Sequence, residues 1–217
     1  MPRLKLEEDF EKINRELKEG IDEIDNLISL SISSLESLDE GMKETIDNLN
    51  LMIYHKLKYT ESLCINTIAL QSPVAKDLRK IITILEILTD LDRIGRYAYD
   101  IFLEIPFFKG SGGVRKLQKI PVMSEMTQHM INSSITSLLN EDDVLAQGLI
   151  LEDDKVDELY SELMREVIEN IKKDSTTVEH GIHYILIARY LERMADHSVN
   201  IGDRVVYLKK GKTIIHK

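Results

Sequence analysis

Two fourteen-residue segments, one hundred positions apart, constrain this chain more than any other feature: LTDLDRIGRYAYDI at 88–101 and ARYLERMADHSVNI at 188–201. Laid together, they set Asp92 on Glu192, Arg96 on Asp196 and Asp100 on Asn200. Both segments space their apolar residues by three and four, the period of one helical face and not the alternation of a strand. A pattern repeated once at that distance divides the chain into two similar halves.

Each half reads as three helices. From Leu6 the apolar row Leu6, Phe10, Ile13, Leu17, Ile24 and Leu27 predicts a first long helix, ending in the serine cluster near Ser37. A second runs over 42–70. Ser72 followed by Pro73 is expected to cap and open a third, whose core stripe reads Leu78, Ile82, Leu85, Leu88, Asp92 and Tyr99. The segment IPFFKGSGGVRKLQKIP then gathers two of the four prolines and three of the ten glycines, which predicts a linker. Pro121 is expected to open the fourth helix, the acidic run Glu141, Asp142, Asp143 the fifth, and the break at Ser175–Thr177 the sixth. The expected architecture is all-α: one three-helix bundle over 1–108, a linker over 109–120 and a second bundle over 121–217.

Charge and cysteine content narrow the function. A formal net charge of −10 over 217 residues disfavours contact with nucleic-acid phosphates. The single cysteine, Cys64, sits among Leu63, Ile65 and Ile68 and reads as a buried core thiol. The N-terminal residues are charged and carry no secretory pattern, and no apolar run approaches the roughly 18 residues needed to span a bilayer. A soluble, cytoplasmic protein is expected.

The sixth helix raises a chemical question. Ile185, Arg189, Glu192, Asp196, Val199 and Asp203 fall on one stripe, expected to face the core, with Asn200 one turn beyond Asp196. Like charges four residues apart repel, and burying them unpaired costs far more. Arg189, Arg193 or a neighbouring lysine could supply the balancing charge; so could a metal. Asp153 and Asp157 form a second i, i+4 acidic pair on the fifth helix, and two such pairs can surround a cation with hard oxygen donors.

ARYLERMADHSVNIGDRVVYL resembles the signature helix of the PhoU family, the phosphate-uptake regulators. QSPVAKDLRKI and EDDKVDELY are similar to that family's P-V-A-x-D-L-R and acidic D-x-x-V-D-x-L segments. The resemblance implies tandem three-helix bundles related by a pseudo-twofold axis. It implies divalent or trivalent metal ions, among them iron, zinc, magnesium or manganese, held in the second repeat by Asp153, Asp157, Glu192, Asp196 and Asn200. It further implies a homodimeric negative regulator of phosphate transport, an adaptor between the ATPase subunit of the phosphate ABC transporter and a sensor histidine kinase, touching the membrane only through the transporter.

The first repeat departs from that pattern. Asn50 and Tyr54 stand where acids are expected, and Arg96 lies between Asp92 and Asp100, an ion-pair ladder whose guanidinium can replace a metal. A metal held by Asp92 and Asp100 is therefore the less favoured expectation. His197 is expected to face solvent, with a minor ligand role as the alternative. Met123, Met126 and Met130 read as core or dimer surface. No nucleophile elbow, phosphate loop or positioned acid and base appears, so the chain reads as a non-enzyme. A metalloenzyme using the second acidic cluster, and a metal-free structural bundle, are the rivals.

Overall fold

The computed structural model describes residues 2–108 and 119–211. These form six α-helices: α1 (Pro2–Ser37), α2 (Lys43–Gln71), α3 (Lys76–Leu103), α4 (Lys119–Asn140), α5 (Asp143–Lys173) and α6 (Val178–Lys210). Short 3-10 turns at Ile105–Phe108 and Ser175–Thr177 follow α3 and precede α6. No strand occurs among the described residues. Helices α1, α2 and α3 pack on one another, as do α4, α5 and α6; α3 against α6 and α1 against α4 join the halves. Of the linker expected at 109–120, residues 109–118 lie outside those described, and Lys119 and Ile120 already belong to α4.

The acidic start of α5 behaves as its chemistry requires. Asp142 accepts hydrogen bonds from the backbone N–H groups of Val144 and Leu145, each at 3.0 Å, satisfying donors that the first helical turn leaves free. The start of α3 differs from the sequence reading. Ser72 adopts φ 48°, ψ 53° and closes α2, its N–H donating to the Ile68 carbonyl. Pro73 is buried in the connection and α3 opens three residues later, without a side-chain cap. The proline ring disfavours right-handed helix at the residue before it, so Ser72 ends one helix instead of capping the next.

The core rows of α3 and α6 also lie one step round from the expected stripes. In α3 the buried residues include Ile81, Ile84, Ile87, Leu91, Ile94, Ala98, Ile101 and Phe102 together with Leu88 of the expected stripe, while Ile82 is 46% exposed. In α6 they include Tyr184, Ile187, Ala188, Leu191, Met194, Ala195, Ile201 and Val205. The row running from Ile185 to Asp203 flanks this core, and within it Glu192 alone is buried. Each of these helices packs against two neighbours on one side and the opposite half on the other, so more than one face is apolar and periodicity does not rank them. Helix α5 approaches α6 closely because residue 202 is glycine. A Cβ there would lie 2.9 Å from both the Ala146 carbonyl oxygen and the Leu149 Cδ1.

The contacts between α3 and α6 occur in pairs related by the hundred-residue offset. Asp90 accepts from Arg204 Nε at 2.9 Å; its counterpart is Tyr190, whose hydroxyl donates to Glu104 at 3.4 Å. Asp90 also meets His197 Nδ1 at 2.9 Å, and correspondingly Tyr190 stacks on Tyr97 with ring centroids 5.9 Å apart. Tyr97 and His197, equivalent to each other, lie 6.0 Å apart, ring to ring. Reciprocal contacts with one self-facing pair are what a two-fold relation produces.

Candidate metal centre

The second half brings four of the five expected ligands together. Asp153 and Asp157 stand one turn apart on α5, facing Glu192 and Asp196 on α6, and their charges register in one another. Burial, followed by repulsion from Asp196, Asp157 and Glu192, pushes the Asp153 carboxyl up from 3.8 to about 7. Burial and then Asp196 also raise Asp157 and Glu192. Glu192 is 8% exposed, and its Oε2 has no hydrogen-bond donor; Asp153 Oδ1 has none either. Two inward carboxylate oxygens without partners are an unstable arrangement unless a proton or cation answers them.

Part of the answer comes from α6 itself. Arg189 Nη1 donates to Glu192 Oε1 at 2.5 Å, and Arg193 Nη1 donates to Asp196 Oδ2 at 3.0 Å. Arg193 Nε lies 3.8 Å from the orphaned Glu192 Oε2, close enough for attraction but not for a hydrogen bond. Both arginines come from the same helix as the acids they cover, three residues or one residue away. Arginine supplies positive charge directly to Glu192 and Asp196, while Asp157 feels Arg189 only through its charge and Asp153 has acids as its charged neighbours.

Asn200 is not part of this group. It is exposed and lines a separate cavity of about 640 Å³ between α3 and α6, with Arg79, Glu86, Asp203, Arg204 and Tyr207. Helical geometry explains the difference: each step of four overshoots a full turn by about 40°, so a residue eight positions along has rotated about 80° from the first. The i, i+4 relation holds for Glu192 and Asp196 and fails when extended a second time.

In the first half, Asn50, Tyr54, Asp92, Arg96, Tyr99 and Asp100 line one cavity of about 730 Å³, so the equivalent positions share a site as the repeat predicts. Arg96 Nε donates to Asp92 at 2.9 Å, which forms one rung of the expected ladder. Asp100 feels the guanidinium only through its charge. Burial and then Glu104 raise its carboxyl, and Arg96 opposes them. The hydroxyl of Tyr99 donates to Asp47 at 2.7 Å across the cavity wall.

His197 neither faces solvent nor joins the acids beside it, since Asp90 draws it into the seam between the halves. Sequence reasoning missed Asp90 on α3 and Glu104 just past its end, two buried acids that bond to α6. Their signal was the hundred-residue offset, which pairs Glu104 with Arg204 and Asp90 with Tyr190. A second missed group is Lys56, whose Nζ lies 2.6 Å from Glu19, 3.5 Å from Glu23 and 3.7 Å from Glu16. Glu16, Glu19 and Glu23 fall at i, i+3 and i+7 on α1, a spacing visible beforehand. Met123 and Met130 are wholly buried in the core.

The acids of the second half suit a hard cation in kind: all are oxygen donors, and the buried Glu192 and half-buried Asp153 each keep an oxygen without a partner. They are not already converged on one. Among the described residues, no group of three or more histidine, cysteine or acidic side chains is arranged to hold a metal ion. Arg189 and Arg193 hold one oxygen each of Glu192 and Asp196 and set two positive charges beside the oxygens left open.

Comparison with known proteins follows the same division into halves. A family model described as "PhoU domain" matches residues 8–105 and 120–205. The phosphate-specific transport system accessory protein PhoU homolog of Clostridium acetobutylicum is 31% identical over 215 residues, covering 99% of this chain and 98% of that protein. The protein so named from Aquifex aeolicus is 33% identical, covering 95% and 90%. Among solved structures, the phosphate transport system regulatory protein PhoU of Streptococcus pneumoniae superposes with a TM-score of 0.85 at 25% identity, covering 100% of both chains. PhoU of Pseudomonas aeruginosa gives a TM-score of 0.85 at 23% identity, covering 95% of this chain and 99% of that one.

Proposed function

The chain belongs to the PhoU family, and on that premise we propose that it is an accessory regulator of phosphate transport that works by binding and not by catalysis. The relatives are named accessory or regulatory proteins, which supports that class. No described helix is long and apolar enough to cross a membrane, in keeping with a protein that reaches the bilayer through a partner. The partners proposed are the ATPase subunit of the phosphate ABC transporter and a sensor histidine kinase. It would act in the cytoplasm as a homodimer and restrain phosphate uptake when phosphate is abundant.

Within this reading, Asp153, Asp157, Glu192 and Asp196 form a cation-responsive site. The observation that carries it is Glu192, buried against α5 with one oxygen unanswered and a second acid pair opposite. A divalent or trivalent cation there would supply charge neutralisation between α5 and α6, tying the two helices together. Asp157 and Asp196 are the more accessible donors, and Asp153 and Glu192 close the inner side.

Two measurements test the proposal. Deleting the gene is expected to raise phosphate uptake at high external phosphate; unchanged uptake would overturn the regulatory reading. Elemental analysis of protein purified without chelator is expected to show metal that is lost when Asp157 and Asp196 are both changed to Asn. Equal metal content in the two proteins would overturn the site.

A further inference from the structure

We propose that Arg189 and Arg193 are resident counter-cations of the second-half acidic site, which a metal ion must displace, so that loading the site turns two guanidiniums outward onto α6. The inference rests on the cation-site reading above. Its basis is the positions of the arginines themselves. Arg189 holds Glu192 Oε1 at 2.5 Å, Arg193 holds Asp196 Oδ2 at 3.0 Å, and Arg193 Nε lies 3.8 Å from Glu192 Oε2.

A cation taking the open oxygens of these same carboxylates as donors would sit within a few ångströms of both guanidiniums. Like-charge repulsion at that range, in a half-buried site, is several times what water would leave. Occupancy by arginine and occupancy by a divalent ion therefore oppose each other. The acids cannot simply release the arginines without a replacement, because Glu192 is 8% exposed and would be left as a bare buried charge. The exchange is coupled in both directions.

Each arginine has somewhere to go. Arg189 is 38% exposed and Arg193 45%, so both side chains already border solvent. Arg189 also lies over the Tyr160 ring of α5, 5.9 Å from its centroid, where a cation is attracted by the ring face. Swinging off Glu192 toward Tyr160 and solvent needs only side-chain rotation, and no helix has to move. On a chain of net charge −10, two newly uncovered guanidiniums on one helix are a local reversal of sign. Such a patch suits an acidic surface on a protein partner, and its exposure would depend on metal.

The first half offers a built comparison. There Arg96 stands at the position of Asp196, bonds to Asp92 and is 59% exposed; a carboxylate has become the counter-cation itself. That half needs no exchange, while the second half keeps four acids and borrows its positive charge from the neighbouring turn.

The test uses the full chain and Mn²⁺ alone as probe. Calorimetric titration compares wild type with Arg189→Gln, Arg193→Gln and the double variant. Removing one competing charge is expected to tighten Mn²⁺ binding about tenfold in each single variant. In parallel, phenylglyoxal labelling of wild type, read by peptide mass spectrometry, is expected to show Arg189 and Arg193 reacting faster with Mn²⁺ present than with chelator. Variants that bind while wild type does not would also support displacement. Wild-type binding with unchanged affinity in the variants and unchanged labelling would overturn the exchange while leaving the metal site standing. Absence of binding in all four proteins would overturn the metal site and the exchange with it.

Discussion

Asp153 gives the sharpest quantitative prediction. Its carboxyl is raised from 3.8 to about 7, by burial first and then by three neighbouring acids, so the folded chain holds that proton more tightly than the unfolded chain does. The linked stability is fully present below about pH 4 and is lost as pH rises through about 7. A difference of that size corresponds to about 4 kcal/mol, which we halve to about 2 kcal/mol because Asp153 is only partly buried and water screens the repulsion. Between pH 5 and pH 8 the loss is then about 1 kcal/mol. Asp153→Asn removes the charge with little change in shape. In chelator, the variant is expected to be more stable than wild type at pH 8 by about 1–2 kcal/mol, with the gap closing toward pH 5. Urea unfolding at pH 5, 6, 7 and 8 measures both proteins on one scale. Curves that stay parallel across the range, or a variant less stable at pH 8, would refute the assignment of mutual repulsion to this group.

Three further outcomes follow from other parts of the molecule. Arg204→Ala leaves Asp90, 5% exposed, with His197 as its remaining partner and is expected to cost about 3 kcal/mol in urea unfolding; a loss below about 1 kcal/mol would show the bond to be dispensable. Gly202→Ala forces a methyl against the Ala146 carbonyl at 2.9 Å and is expected to lower stability by about 1–3 kcal/mol, seen as a reduced melting temperature. Cys64 is wholly buried and its thiol is pushed up to about 12, so the native protein is expected to resist a thiol reagent at pH 8 and to react fully in denaturant.

The fold was legible because helical period, capping acids and the repeat agreed with one another. The helix ends at Asp142, Lys173 and Lys210 lie where acidic and basic residues and glycine put them. What the sequence misassigned were faces. Ile82 and Ile81 are equally apolar, and which one is buried depends on where the other half sits. The four acids of the second half were visible as two i, i+4 pairs. Asn200 was drawn in by extending the step past the point where helical rotation permits. The arginines were weighed as possible partners, but nothing in one helix's sequence chooses between a salt bridge and a metal. His197 shows the same limit from the other side, since its partner Asp90 lies 107 residues away and no local pattern joins them.

The seam between α3 and α6 has a bearing on how such a chain could arise and why it no longer comes apart into interchangeable parts. Reciprocal contacts about a self-facing pair are the geometry that two identical molecules clasped together would have. In this chain the clasp is lock and key. Two copies of the first half meeting the same way would set Asp90 against Glu104, acid on acid, with nothing in the place of Arg204. Two copies of the second half would set Tyr190 against Arg204 and leave that guanidinium without Asp90. Each half has thus been specialised to refuse itself and accept the other, which directs the newly made chain to fold back on itself instead of pairing with a neighbour's matching half.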